Sequence, residues 1–114
     1  MQTPEAVIQA QVEAYNAHDI DAFMALHSPT AQLYNFKTGD LIFEGEAAIR
    51  ERYTQRFTNP DLHAEIINRI VIGNRVIDHE QVRGIDPERV IEVVAIYEVE
   101  DGLIQRIWFI YNWG

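Results

Sequence analysis

Arg75-Val76-Ile77-Asp78-His79-Glu80-Gln81-Val82-Arg83, held between Gly73-Asn74 and Gly84-Ile85-Asp86-Pro87, is the stretch whose reading decides the fold. It is short, carries Val76, Ile77 and Val82, and turn residues close both ends, which is the pattern of a strand. Glu100-Asp101-Gly102 supplies a third turn signal. Together the three turns divide the second half of the chain into runs 62–72, 75–83, 89–99 and 103–113, rich in Ile, Val, Tyr and Trp. Connections this short cannot carry a parallel crossover, so the runs are predicted to form an antiparallel meander.

Upstream the period changes. Thr3-Pro4 reads as an N-cap followed by proline at the first helical position, and Ile8, Val12 and Tyr15 continue a helix to about Ala17. Asp19 caps a second, shorter helix with Ile20, Phe23, Met24 and Leu26 or His27 on one side, ending before Ser28-Pro29. Gln32 to Phe36 and Leu41 to Phe43 flank a Lys37-Thr38-Gly39-Asp40 turn and read as a hairpin. Glu46 to Phe57 returns to helical spacing. Ile49, Tyr53 and Phe57 share one stripe, Arg50, Glu51, Arg52 and Arg56 lie mostly off it, and Asn59-Pro60 stops the helix. The expectation is one α+β domain over residues 1–114. Three helices from the N-terminal half pack on one face of a curved, mainly antiparallel mixed sheet.

Composition narrows the function. With 18 acidic and 9 basic residues the formal charge is −9, and Lys37 is the one lysine, so no nucleic-acid or anionic-membrane partner is expected. No run approaches the ~18 apolar residues of a spanning helix. The absence of cysteine removes thiolate chemistry and disulfides. Four histidines without metal-ligand spacing and six scattered glycines imply no metal, no phosphate loop and no cofactor. His18 and His63 read as surface residues. Met1 to Glu5 shows no basic segment followed by an apolar run, so a cytoplasmic location is expected.

The last run is apolar on both parities from Ile107 to Trp113, whereas a strand with one wet face should alternate. Three short helices can cover one sheet face. The other cover is expected to be a second copy of the same sheet, making a homodimer.

The order of elements resembles the nuclear transport factor 2-like superfamily, and within it the SnoaL-like and steroid delta-isomerase-like small proteins. The residues that carry the likeness are Tyr15 with Asp19-Ile20-Asp21-Ala22-Phe23, Glu44-Gly45-Glu46-Ala47-Ala48-Ile49-Arg50 and Asp101-Gly102-Leu103-Ile104. The resemblance implies a cone-shaped fold with a ligand pocket between the helices and the concave sheet face. The isomerases' catalytic carboxylate, in their Ala-x-x-x-Asp pattern, falls on Asn35 after Ala31-Gln32-Leu33-Tyr34, and an amide cannot act as a general base. Their oxyanion-hole tyrosine falls near Gln11 and their oxyanion-hole aspartate near Val94. Two supporting tyrosines fall on His27 and Tyr53. The last-strand aspartate of the limonene epoxide hydrolases falls near Phe109. Neither chemistry carries over.

Candidate chemistry therefore rests on Asp78, Glu80 and His79. Alternation puts Asp78 and Glu80 on one face of their strand, ~7 Å apart, and His79 on the other. Alignment through Gly84 with the isomerases points the two carboxylates into the cone, where like charge and desolvation would raise one pKa and make a proton carrier. In the reverse parity, His79 becomes the pocket base. Alternatively, the carboxylates face solvent or pair with Arg69, Arg75 or Arg83. On the next strand Glu92, Val94 and Ile96 are expected inward, with Glu92 at the rim, while Val93, Ala95 and Tyr97 face the dimer side. Tyr15, His27, Asn35 and Tyr53 are expected to orient a ligand, with Ile107, Phe109 and Tyr111 in the pocket and Trp108 and Ile110 outside. The expected partner is a small apolar organic molecule, and the chemistry isomerisation, cyclisation or hydration without a cofactor. The competing reading is a non-catalytic ligand carrier or dimerisation module.

Overall fold

The computed structural model describes residues 2–112. The order is α1 (Pro4–Asn16), α2 (Ile20–Met24), β1 (His27–Asn35), β2 (Leu41–Glu44), α3 (Glu46–Arg56), β3 (His63–Ile72), β4 (Arg75–Arg83), β5 (Ile91–Glu100) and β6 (Leu103–Asn112). Both caps form as the sequence predicts. The Thr3 hydroxyl accepts the Ala6 amide at 3.2 Å and the Asp19 carboxylate accepts the Ala22 amide at 3.1 Å, each satisfying a helix-start N–H that has no intrahelical partner. Trp113, the end of the expected last run, lies outside the described residues.

α2 ends earlier than expected, and Ser28-Pro29 falls inside β1 rather than in a loop before it. The register of β1 against β6 explains how. It shifts between His27 and Gln32, so Pro29 sits in an interruption of the ladder, where its missing N–H costs no bond.

The six strands lie in the order β2-β1-β6-β5-β4-β3. Every pairing is antiparallel except β1 with β6, which closes the chain's two halves into one mixed sheet. The helices cover one face. Ile8, Phe23 and Ile49 from the helical layer meet Leu33, Val76, Ile91, Ile104 and Ile107 of the sheet in a single core.

Cross-strand pairing fixes which residues share a face, and it reverses one expectation. Asp78 lies opposite Ala95 and Glu80 opposite Val93. Val93, Ala95 and Tyr97 are therefore buried on the helix-covered face, and Glu92, Val94 and Ile96 point to the other. The run from Val93 to Tyr97 is apolar on both parities, so no alternation was present to show its facing. The outer face carries one register row that is apolar across five strands: Ile70, Ile77, Ile96, Trp108 and Tyr34. Beside it runs a polar row, Arg75, Glu98, Arg106 and Gln32, in which Glu98 takes both arginines at 2.9 and 2.8 Å.

Gly84 sets the loop over the mouth of the cone. Its φ is +89°, and a Cβ there would stand 2.6 Å from the backbone N and Cα of Leu62, so only glycine fits. Its carbonyl accepts the Asn59 side-chain amide at 2.6 Å, which ties the loop to the end of α3.

Candidate functional site

A cavity lies between α1, α3 and the concave sheet face. Its inner part, about 30 Å³, is lined by Gln11 and Tyr15 of α1, Glu80 of β4 and Tyr97 of β5. Its outer part, about 180 Å³, is lined by Leu33, Ile42 and Phe43. Tyr53, Arg56, Ile85, Phe109 and Tyr111 line both parts. An engineered apolar cavity of about 150 Å³ holds benzene, so the outer part accommodates a one-ring molecule.

The pair Asp78 and Glu80 is brought together on the inner face, and the two residues take different roles. Asp78 is fully buried and receives the fork of Arg69, with Nε donating to Oδ1 at 2.7 Å and Nη2 donating to Oδ2 at 2.9 Å. It does not line the cavity and its oxygens are occupied, which corrects its assignment as a free proton carrier. Glu80 is 7% exposed, receives no arginine, and lines the inner cavity. Burial pushes its pKa up to about 8, and the Asp78 charge adds to the rise. The Arg69 charge and the Tyr97 hydroxyl pull the other way. At neutral pH Glu80 is therefore mostly the protonated acid, able to donate as well as accept.

His79 stands on the opposite face, where its Nε2 meets Glu92 at 2.8 Å, both groups partly exposed. Its assignment to the site is corrected by the pairing of β4 with β5, which sets His79 opposite Val94 on the outer face. Glu92 likewise belongs to the outer face, away from the cavity rim.

Tyr15, Tyr53, Phe109 and Tyr111 line the cavity where the sequence reading put them. Burial raises the Tyr15 pKa to about 12 and raises those of Tyr53, Tyr97 and Tyr111 as well, so each is a neutral hydroxyl at physiological pH. His27 and Asn35 do not line it. His27 Nδ1 donates to the Phe23 carbonyl at 2.9 Å and its ring packs 4.6 Å from that of Phe23. Burial lowers its pKa to about 4, so it is a neutral core residue. The Asn35 side-chain oxygen accepts the amides of Lys37 and Thr38 at 2.9 and 3.4 Å, closing the β1–β2 turn. His18, read as a surface residue, is half-buried: its Nε2 donates to the Leu62 carbonyl at 2.7 Å and its ring stacks on Phe57.

Among the lining residues that the sequence reading missed, Tyr97 and Arg56 bear most on the chemistry. Tyr97 was expected outside because its strand has no alternation. Arg56 lies off the apolar stripe of α3, yet it is three residues from Tyr53, and its guanidinium sits 5.4 Å from that ring's centroid. That i,i+3 spacing was the available signal. Among the described residues no three His, Asp or Glu side chains converge as a metal ion would require.

These features meet in a known architecture. The SnoaL-like domain model matches residues 8–107, and the chain belongs to that family. A cystatin-fold protein of Novosphingobium aromaticivorans is similar in structure at a TM-score of 0.82 and 27% identity, covering 96% of this chain and 99% of that one. A candidate ketosteroid isomerase of Kribbella flavida matches at a TM-score of 0.82 and 17% identity, covering 97% and 78%. A candidate polyketide cyclase of Sinorhizobium meliloti matches at a TM-score of 0.78 and 20% identity, covering 92% and 94%. At these identities the last two report a shared fold. No curated protein matches the sequence.

Proposed function

We propose that this SnoaL-like domain binds a small, largely apolar organic molecule and moves a proton on it through Glu80, in cofactor-free acid–base chemistry of the isomerisation, cyclisation or hydration type. One observation carries the reading. A carboxylic acid held neutral to about pH 8 by burial faces a cavity lined mostly by aromatic and aliphatic side chains, with Gln11, Arg52 and Arg56 as further polar members. An acid whose pKa lies near the working pH is the efficient proton carrier, because it can both give and take. Gln11, Tyr15 and Tyr97 surround it with neutral groups that can fix one ligand oxygen. The apolar row of the outer sheet face, half-buried apart from the exposed Ile70, supports a homodimer through that face, since a contiguous apolar patch marks an interaction surface.

The test is deuterium exchange at the α-carbons of a panel of small cyclic ketones in heavy water, alongside carbon-detected NMR titration of Glu80. Exchange above background in the native protein and its loss in Glu80→Gln, with Glu80 titrating near 8, are expected. A Glu80 that titrates near its reference value of about 4.3 would end the reading. For the dimer, sedimentation of Trp108→Glu should show a monomer where the native chain shows twice the mass, and an unchanged mass would refute it.

A further inference from the structure

The arginines of this acidic chain are mostly matched to carboxylates. Arg50 meets Asp21 at 2.8 Å, Arg69 meets Asp78 at 2.7 Å, Arg75 and Arg106 share Glu98, and Arg89 meets Asp86 at 3.1 Å. Arg56 departs from that pattern on the wall of the cavity. It is largely enclosed, it lines both parts of the cavity, and among the described residues no carboxylate reaches salt-bridge distance of it. Its neighbours are neutral phenols. The hydroxyls of Tyr15 and Tyr111 interact with it, and the Tyr53 ring lies beneath it. Arg52 adds a second positive charge on the wall of the outer part.

A guanidinium taken out of water without a counter-ion carries a desolvation cost that an anion in the same cavity would offset. Its planar fork suits two coplanar oxygens, and phenol hydroxyls turned toward it can donate to the same oxygens. The surrounding walls, Leu33, Phe43, Ile85 and Phe109, suit a ring or short hydrocarbon body. We infer that Arg56, with Tyr15 and Tyr111, is the anchor for the oxyanion of a small one-ring organic anion, a carboxylate or the enolate of a 1,3-dicarbonyl, whose body fills the outer cavity. This rests on the pocket reading above and names its ligand class. The formal charge of −9 sharpens the contrast, because the bulk of the surface repels anions while this cavity presents cations. Neutral substrates of similar shape would leave the arginine uncompensated.

The experiment compares benzoate with benzamide, and 1,3-cyclohexanedione with cyclohexanone, by NMR shift perturbation of the native protein at neutral pH. Each pair differs in charge at nearly constant shape, so no variant is needed for the first result. The anions are expected to bind about tenfold or more tighter than their neutral counterparts, the scale of one charge-assisted contact. The shifts should fall on Arg56 Nε, Tyr15 and Tyr111. Arg56→Lys, which keeps the charge and loses the fork, should weaken benzoate binding about tenfold and by more than it weakens benzamide binding, so that the preference for the anion narrows. Preference for the diketone over benzoate would assign the anchor to enolates, and the reverse to carboxylates. Equal binding of benzoate and benzamide at the lining residues overturns the anchor and leaves the pocket standing. Absence of shifts at any lining residue with all four probes overturns both.

Discussion

Glu80→Gln separates a proton carrier from a structural polar residue through the pH dependence of stability. In the native chain Glu80 holds its proton to about pH 8, while in the unfolded chain it releases it near 4.5. Between those values the native state binds more protons than the unfolded state, so stability falls as pH rises. The full difference corresponds to at most about 5 kcal/mol. His27 acts in the opposite direction over part of the same range. Its native pKa of about 4 lies below its ordinary 6.5, so the unfolded state binds the extra proton and stability rises with pH between them. The two slopes oppose each other below pH 6.5 and only the Glu80 slope remains above it. Urea unfolding of the native sequence should therefore lose about 2 kcal/mol from pH 6.5 to about 9, and Glu80→Gln should lose almost none of that. The amide keeps the volume of the acid and cannot ionise. A pH-independent difference between the two proteins would mean that Glu80 is ionised throughout, and the acid–base reading would lose its foundation.

Three further outcomes follow from the same geometry. Arg69→Met leaves the Asp78 carboxylate buried without its fork and should cost about 3–5 kcal/mol in urea unfolding, with Asp78→Asn added to it recovering part of the loss; a cost under about 1 kcal/mol would show that the pair is not coupled. His27→Phe removes a contribution that rises by roughly 3 kcal/mol between pH 4 and 6.5, so the opposing Glu80 slope is exposed and stability should fall with pH over that window; an unchanged profile would place the titration elsewhere. Gly84→Ala combines a left-handed φ with a backbone clash at Leu62 and should cost about 2–4 kcal/mol, whereas a near-neutral result would show that the loop over the cavity is free to shift.

Much of this arrangement is local chemistry and was legible as such. Thr3, Asp19, the Lys37–Asp40 turn and the glycine-bearing turns at 73 and 102 act through neighbours a few residues away, so element order and the antiparallel meander follow from the chain alone. The alternation of Val76, Asp78, Glu80 and Val82 likewise put both carboxylates on one face and His79 on the other, before any neighbour was known. What alternation could not reveal was which of the two carboxylates would be neutralised. Arg69 approaches Asp78 because β3 pairs with β4 in the register that sets those two residues opposite each other, and a one-residue slip would have offered it a different partner. Glu80 is left as the unpaired acid by that long-range event.

Tyr97 and Arg56 fall on the same side of the divide. The Val93–Tyr97 run has no polar residue to mark its facing, so only its pairing with β4 turns Tyr97 inward. Arg56 enters the cavity because α3 docks its last turn against the mouth of the cone, beside Ile85 and Tyr111, and helical period alone assigned it to the outside. Asn35 and His27 moved the other way, into a turn and into the core, where short-range hydrogen bonds with Lys37 and Phe23 hold them. The chain by itself determined which segments become helices and strands, and which residues share a strand face, because those follow from contacts within one turn or one pleat. Only the tertiary structure decided which acid stays protonated and which arginine enters the cavity without a carboxylate, because both depend on desolvation and on partners brought together from distant segments.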